Sequence, residues 1–242
     1  MNAHGRSEAL MPRSAQRRDG SMAGPVWFFD LDNTLHDATH AIFAAIDSRM
    51  TAYVERRLQV ESGEADCLRR QYWHRYGATL LGLVRHHGVD AHEFLHAAHD
   101  FDVAGLLRAE RGLALLFARL PGRKVLLTNA ATRYARDVVR ALALHRHLGA
   151  VYAIETMRVH GSFRPKPSRQ MLRHMLARER VAPGRAILVE DSLPNLRAAR
   201  AVGFRTVLVT GHGRRRVSRA SYVGLRLRSV RELPQALSRL RR

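Results

Sequence analysis

The chain has 242 residues, with 41 Lys+Arg against 21 Asp+Glu for a formal net charge of +20, and it is 46% hydrophobic and 26% charged. That composition excludes wholesale disorder and supplies enough apolar material for one long domain or two short ones. The single Cys67 excludes an intrachain disulfide or a thiolate metal cluster, so a reducing cytoplasm is the expected compartment, and no run of eighteen uncharged apolar residues predicts a membrane span.

In chain order, residues 1–24 carry Arg6, Glu8, Arg13, Arg17, Arg18 and Asp19 with no apolar block between them. They lack the hydrophobic region of a secretion signal and read as a disordered leader outside the fold. Val26–Asp30 is the first apolar, β-rich run. Lys124–Thr128, Ala186–Glu190 and Thr206–Thr210 repeat the pattern, and Val151–Ile154 is a weaker instance. Runs without polar alternation imply strands buried on both faces, as in a parallel sheet covered by helices, so the predicted core is α/β and Rossmann-like. Helical periodicity over Thr132–Leu144, Arg169–Arg178 and Pro194–Val202 supplies that cover, with Gly203 placed to cap the last helix.

Residues 37–120 break the rhythm. They hold no convincing strand and show helical periodicity over Ala41–Leu58, Ala65–Tyr76 and Ala91–Ala98. The expected organisation is therefore a catalytic core of residues 25–36 and 121–242, with 37–120 as an all-helical cap over the carboxyl ends of the strands, where open α/β sheets bind ligands. Near the C-terminus, Ser221–Leu225 reads as a strand and Leu233–Leu240 as an amphipathic helix.

Asp30 and Asp32 stand two apart at the mouth of the first strand, a spacing that turns both carboxylates to one side if the chain stays extended. Such a pair can divide labour between nucleophile and proton shuttle and can hold a divalent cation; a strand end followed by an Asx turn is the plainer alternative. Thr128 and Asn129 place a hydroxyl and an amide at the mouth of the second strand. Lys166, one of two lysines in the chain, lies between Pro165 and Pro167, which stiffen the backbone that aims it. Glu190 and Asp191 end a later strand and suit a hard cation such as Mg²⁺.

In this order on strand ends, Asp30-x-Asp32-x-Thr34, Thr128-Asn129, Lys166 and Glu190-Asp191 resemble the four motifs of the haloacid dehalogenase (HAD) superfamily. The segments Phe28–Leu35, Tyr76–Leu83, Pro121–Asn129 and Ser221–Val223 are most similar to its pyrimidine 5'-nucleotidase branch. The resemblance implies a Mg²⁺-dependent phosphatase acting on nucleoside 5'-monophosphates through an aspartyl-phosphate. Asp30 would then be nucleophile and metal ligand, and Asp32 the acid and base as well as a metal ligand through its backbone carbonyl. Thr128 and Asn129 would hold the phosphoryl group and Lys166 would neutralise it, while Asp191 would bind the metal with Glu190 as auxiliary ligand. The dehalogenases of the superfamily lack an acid at the position of Asp32, and its phosphonate-cleaving members need a lid lysine that residues 36–123 do not contain. Phosphatases or mutases for phosphoglycolate or sugar phosphates share the motifs and remain alternatives.

Within the cap, Tyr76, Gly77, Thr79 and His99 are the candidate specificity residues. Tyr72, Trp73 and Tyr76 are spaced either to stack a base or to form the cap's own core. His92, His96 and His99 are spaced for one helix face, which a solvated surface explains better than a metal site. Ten arginines between Arg214 and Arg242 raise the alternative of a non-catalytic nucleic-acid binder. Arginines scattered through every segment and the lack of interleaved aromatics argue against it, so the expected partner is a small phosphorylated substrate, with no specific nucleic acid and no membrane.

Overall fold

The computed structural model describes residues 24–212 and 220–240. Most of the expected leader lies outside the described residues, as do Arg214, Arg215, Arg216, Arg219, Arg241 and Arg242 of the basic tail. The chain opens with β1 (Val26–Phe29), then α1 (Ile42–Leu58), α2 (Ser62–Tyr76), α3 (Thr79–His87), α4 (Ala91–Ala98) and α5 (Leu113–Arg119). It continues through β2 (Arg123–Leu127), α6 (Thr132–Ala141), β3 (Ala150–Tyr152), the short pair β4 (Arg158–Val159) and β5 (Ser162–Phe163), and α7 (Arg169–Arg178). It closes with β6 (Ala186–Glu190), α8 (Leu193–Ala201), β7 (Arg205–Val209), β8 (Leu225–Leu227) and α9 (Leu233–Leu240).

Six strands form one parallel sheet in the order β3-β2-β1-β6-β7-β8. The first strand is central, and the strand order reverses beside it, between β1 and β6. At such a switch point the flanking loops diverge and leave a crevice at the carboxyl ends of the strands. Alternation within the apolar runs sorts side chains between the two faces. Trp27, Phe29, Leu126, Ile187 and Val189 pack into one buried cluster, while Phe28, Val125, Leu127 and Leu188 pack into the other. Phe28 is fully buried, so Phe28→Ala would cost about 3–5 kcal/mol in lost transfer energy and cavity formation.

The first four of the five helices between β1 and β2 bury a third cluster, built from Tyr53, Val54, Ala65, Tyr72, Leu80, Leu83, Phe94 and Leu95, against which Ala131 and Ile154 of the sheet-bearing part also pack, whereas α5 buries Leu113, Leu116 and Phe117 in the sheet cluster of Trp27 and Phe29. Two of these helices, α3 and α5, were not foreseen. Among the described residues no helix is long and apolar enough to cross a membrane.

Two expectations are corrected. The last strand is β8, not Ser221–Leu225: Val223 N–H donates to the Ala220 carbonyl in a turn, and the buried–exposed–buried pattern of Leu225-Arg226-Leu227 begins only after it. Gly203 stands one residue past the cap of α8, which is Val202; it takes the left-handed φ of 94° that lets the chain turn back, and a Cβ there would lie 2.7 Å from Pro183. The hairpin β4–β5 was not foreseen, since strands of two residues carry no periodicity. His160 and Gly161, both at positive φ, make its tight turn just before the lysine loop.

Candidate active site

Backbone pairing carries β1 one residue past Phe29, with Asp30 N–H donating to the Val189 carbonyl at 3.0 Å, and then the chain turns. Thr34 and Leu35 N–H groups both donate to the Leu31 carbonyl, and Asn33 takes a left-handed φ of 58°, which asparagine tolerates better than most residues. Asn33 is fixed there by its carboxamide, which bonds the Thr39 backbone and hydroxyl. This turn swings Thr34 back so that its hydroxyl donates to Asp30 Oδ2 at 3.2 Å.

The turn also separates the two aspartates. The carboxylate of Asp30 stays at the switch point, where Lys166 Nζ donates to it at 2.6 Å and to Glu190 Oε2 at 2.7 Å. Asp32 instead reaches Tyr134 and His36: Tyr134 O–H donates to Asp32 Oδ1 at 2.5 Å and His36 Nε2 lies 3.0 Å from the same oxygen. The expected convergence of both carboxylates is thus corrected, because the strand geometry behind it ends before Asp32. The three carboxylates that do converge are Asp30, Glu190 and Asp191, with ligand oxygens within 4.8 Å of one another. Asp32 is not among them.

Two buried acids on one ammonium, with the partly buried Asp191 beside them, leave negative charge uncompensated. Burial, then Glu190, pushes the Asp30 carboxyl up to about 7 against the opposing pull of Lys166. Burial, Glu190 and Asp30 push Asp191 up to about 9. For Lys166, burial alone would depress the ammonium, but Asp30 and Glu190 outweigh it and hold it above its ordinary value. An all-oxygen, electron-rich set of this kind fits a hard divalent cation, which would supply the missing positive charge. Glu190 is already engaged on both oxygens, by Lys166 and by the Ser192 backbone N–H at 3.1 Å, which suits an auxiliary rather than a principal ligand.

Thr128 is buried at the end of β2, and its oxygen accepts from Ala130 N–H at 3.0 Å, which leaves its own hydrogen to donate. Asn129 departs from expectation. Its Nδ2 donates to the Lys166 carbonyl and its Oδ1 accepts from Lys166 N–H, both at 2.9 Å. The side chain is spent on holding the lysine loop, and the backbone N–H is what Asn129 can offer a phosphate.

The candidate specificity residues part company in the same way. Gly77, at φ 81°, lies against the lysine loop: a Cβ there would stand 3.6 Å from Pro167 and 3.7 Å from the Lys166 carbonyl. Tyr76 beside it is half-buried, with its hydroxyl 2.6 Å from His86 Nε2. His99 packs its ring 5.3 Å from Tyr134, has Nδ1 2.9 Å from the Leu95 carbonyl, and is held below its ordinary pKa by burial. Thr79 departs from expectation: it is buried, and its hydroxyl hydrogen is spent on the Arg69 carbonyl at 3.0 Å. Tyr72 belongs to the insertion's own core, while Trp73 is 55% exposed. His92 is exposed and His96 Nε2 lies 3.1 Å from Arg133, and among the described residues the three-ligand clusters do not include these histidines.

A family profile for haloacid dehalogenase-like hydrolases matches residues 26–203. The chain belongs to that family. Among curated proteins, a 5'-nucleotidase of Pseudomonas aeruginosa is 29% identical over 208 residues, spanning 81% of this chain and 86% of that protein. Among solved structures, a HAD phosphatase from Thermococcus onnurineus has a TM-score of 0.60 at 18% identity, covering 88% of this chain and 97% of the other. CbbY from Rhodobacter sphaeroides, solved with phosphate, also has a TM-score of 0.60, at 21% identity, covering 86% and 96%. These structures share the fold. The family makes the chain a HAD-type hydrolase.

Sequence reasoning overlooked His36 and Tyr134. His36 stands four residues after Asp32, but Tyr134 reads as one more apolar position of α6 and only the folded chain brings it to the carboxylate.

Proposed function

We propose that the protein is a Mg²⁺-dependent phosphatase that hydrolyses nucleoside 5'-monophosphates, pyrimidine ones above all, through an aspartyl-phosphate formed on Asp30. The observation that carries this reading is the division of labour between the two aspartates: Asp30 lies beside Lys166 among acids that could hold a metal ion, while the Asp32 side chain is held apart by Tyr134 and His36. The Pseudomonas 5'-nucleotidase and the likeness to the pyrimidine branch support the substrate class.

Asp30, Asp191 and the Asp32 backbone carbonyl would hold Mg²⁺, with Glu190 auxiliary. Bound there, the ion would neutralise the phosphate and the nucleophile's own charge. Lys166 adds a fixed positive charge at Asp30, and the Thr128 hydroxyl with the Asn129 N–H would donate to phosphoryl oxygens. A carboxylate oxygen of Asp30 attacks phosphorus as the bond to the leaving oxygen breaks, and Asp32 gives that oxygen its proton, releasing the nucleoside. Asp32, now ionised, takes a proton from water, whose oxygen attacks the same phosphorus; inorganic phosphate leaves and the Asp30 carboxylate is restored. The helices between β1 and β2 would act as the cap, with Gly77, Tyr76 and His99 nearest the substrate.

The test is release of inorganic phosphate from a panel of nucleotides, sugar phosphates and phosphoglycolate, with Mg²⁺ and with chelator. Metal-dependent release, fastest from pyrimidine 5'-monophosphates, is expected. Preference for phosphoglycolate or a sugar phosphate would overturn the substrate class, and undiminished release in chelator would overturn the metal.

A further inference from the structure

The side chain of Asp32 sits in an arrangement that neither the family motifs nor the metal cluster explains. Its Oδ1 receives the Tyr134 hydroxyl at 2.5 Å and faces His36 Nε2 at 3.0 Å, and these two partners are themselves 3.3 Å apart. Tyr134 and His36 are completely buried, while the Asp32 side chain keeps 17% of its surface exposed. Among the described residues its Oδ2 has no hydrogen-bond partner. His36 Nδ1 is buried with none either. A hydrogen on that nitrogen would be a buried, unsatisfied donor, which is unfavourable. The hydrogen is therefore assigned to Nε2, which donates to Asp32.

Two donors on one oxygen fix both the rotamer and the plane of a carboxyl group. We propose that Tyr134 and His36 are positioning residues that clamp Asp32 by Oδ1 so that Oδ2 alone is offered to the leaving oxygen and then to water. A carboxyl free to turn would spend much of its time with neither oxygen in line, and general acid catalysis needs its proton within hydrogen-bond reach of the departing atom. The clamp comes wholly from the sheet-bearing part of the chain, from the turn after β1 and from α6, so Asp32 is aimed before any substrate arrives. This inference rests on Asp32 being the acid of the proposed phosphatase reaction.

A buried tyrosine that merely filled space would not care which ester is cut, and that separates the two roles. An alkyl leaving group, such as the 5'-oxygen of a nucleoside monophosphate, must be protonated as it departs. The aryl group of 4-nitrophenyl phosphate leaves readily as an anion. Single-turnover formation of the phosphoenzyme by the full chain with Mg²⁺ is therefore measured on both esters. Tyr134→Phe should slow the alkyl ester by roughly 10- to 100-fold with KM little changed, and the aryl ester by less than about 3-fold. His36→Gln, which keeps a donor, should retain more alkyl-ester activity than His36→Leu. Placed on Asp32→Asn, Tyr134→Phe should add almost nothing, because the group it positions is already disabled.

Equal slowing of both esters, no slowing of either, or full additivity with Asp32→Asn would overturn the clamp. If Tyr134→Phe does not fold, the His36 pair decides by the same ester comparison. A wild-type protein inert on both esters would instead overturn the phosphatase reading, and this inference with it.

Discussion

The strand ends and the helical insertion solve different problems with different chemistry. At the strand ends and the lysine loop beside them, Asp30, Lys166 and Glu190 are each 6% exposed or less, and their charges answer one another at 2.6 and 2.7 Å. In the insertion, next to Gly77, the polar groups are rings paired with each other and loosely ringed by arginine: half-buried Tyr76 meets exposed His86, and Arg75 and Arg85 lie over the Tyr76 ring. Buried charge allows one geometry and holds it. Stacked, half-solvated rings can shift at small cost, which suits a surface that selects substrates rather than one that transforms them.

The sharpest way to break that comparison is at its charged end. Asp30→Asn should lower turnover by roughly 10³-fold or more and abolish any trapped phosphoenzyme, as read by phosphate release and mass spectrometry. The same variant should fold at least as well as the parent without metal, because a carboxyl that resists ionisation has been replaced by a neutral amide.

Metal removal comes next. Chelation should abolish turnover, and Mg²⁺ should restore it. Chelation should also expose a pH effect on stability. Folded Asp30 and Asp191 retain protons up to about 7 and about 9, whereas the unfolded chain releases them near 3.8. The folded state therefore binds more protons across that window, so metal-free stability should fall as pH rises from about 4 towards 9. Tm scans in chelator test this, and Mg²⁺ should flatten the slope; a Tm that climbs over the window would refute the charge assignment.

A smaller effect is expected where the insertion meets the core. Gly77→Ala forces a side chain into a left-handed φ, at a cost of about 1 kcal/mol, and puts a methyl group against the lysine loop. KM should rise severalfold with a lesser change in kcat, and an unchanged KM would remove Gly77 from the substrate's surroundings. At the bottom of the scale, Arg231 lies 4.0 Å from Glu110 on the surface, and Arg231→Gln should change stability by less than about 0.5 kcal/mol and turnover hardly at all.

The charged end was also the more legible in sequence. Long apolar runs mark β1, β2, β6 and β7, and the acids at the ends of β1 and β6 with Lys166 in its proline-flanked loop mark the site, because buried charge is too costly to place without a purpose. What stayed hidden has local causes. The hairpin before Lys166 has no periodicity to read. The aim of Asp32 hangs on a turn at Asn33 and on a tyrosine in α6, a partner that spacing alone cannot reveal. Thr79 and Asn129 belong to a recognisable pattern, but whether their side chains face a ligand or the protein depends on backbone groups that only the fold brings near.

The position of β1 in the sheet has a kinetic consequence. Val26 pairs with Arg123 on one side and with Ala186 on the other, so the first strand made must wait for partners that lie beyond the entire helical insertion and further still. Loop closure over such lengths comes before any reward from pairing, which makes folding slow and leaves Val26-Trp27-Phe28-Phe29 uncovered in the meantime. The most apolar strand end of the chemistry is thus its earliest aggregation hazard, and refolding yield should fall as protein concentration rises while a polar residue at Trp27 worsens stability yet eases that loss.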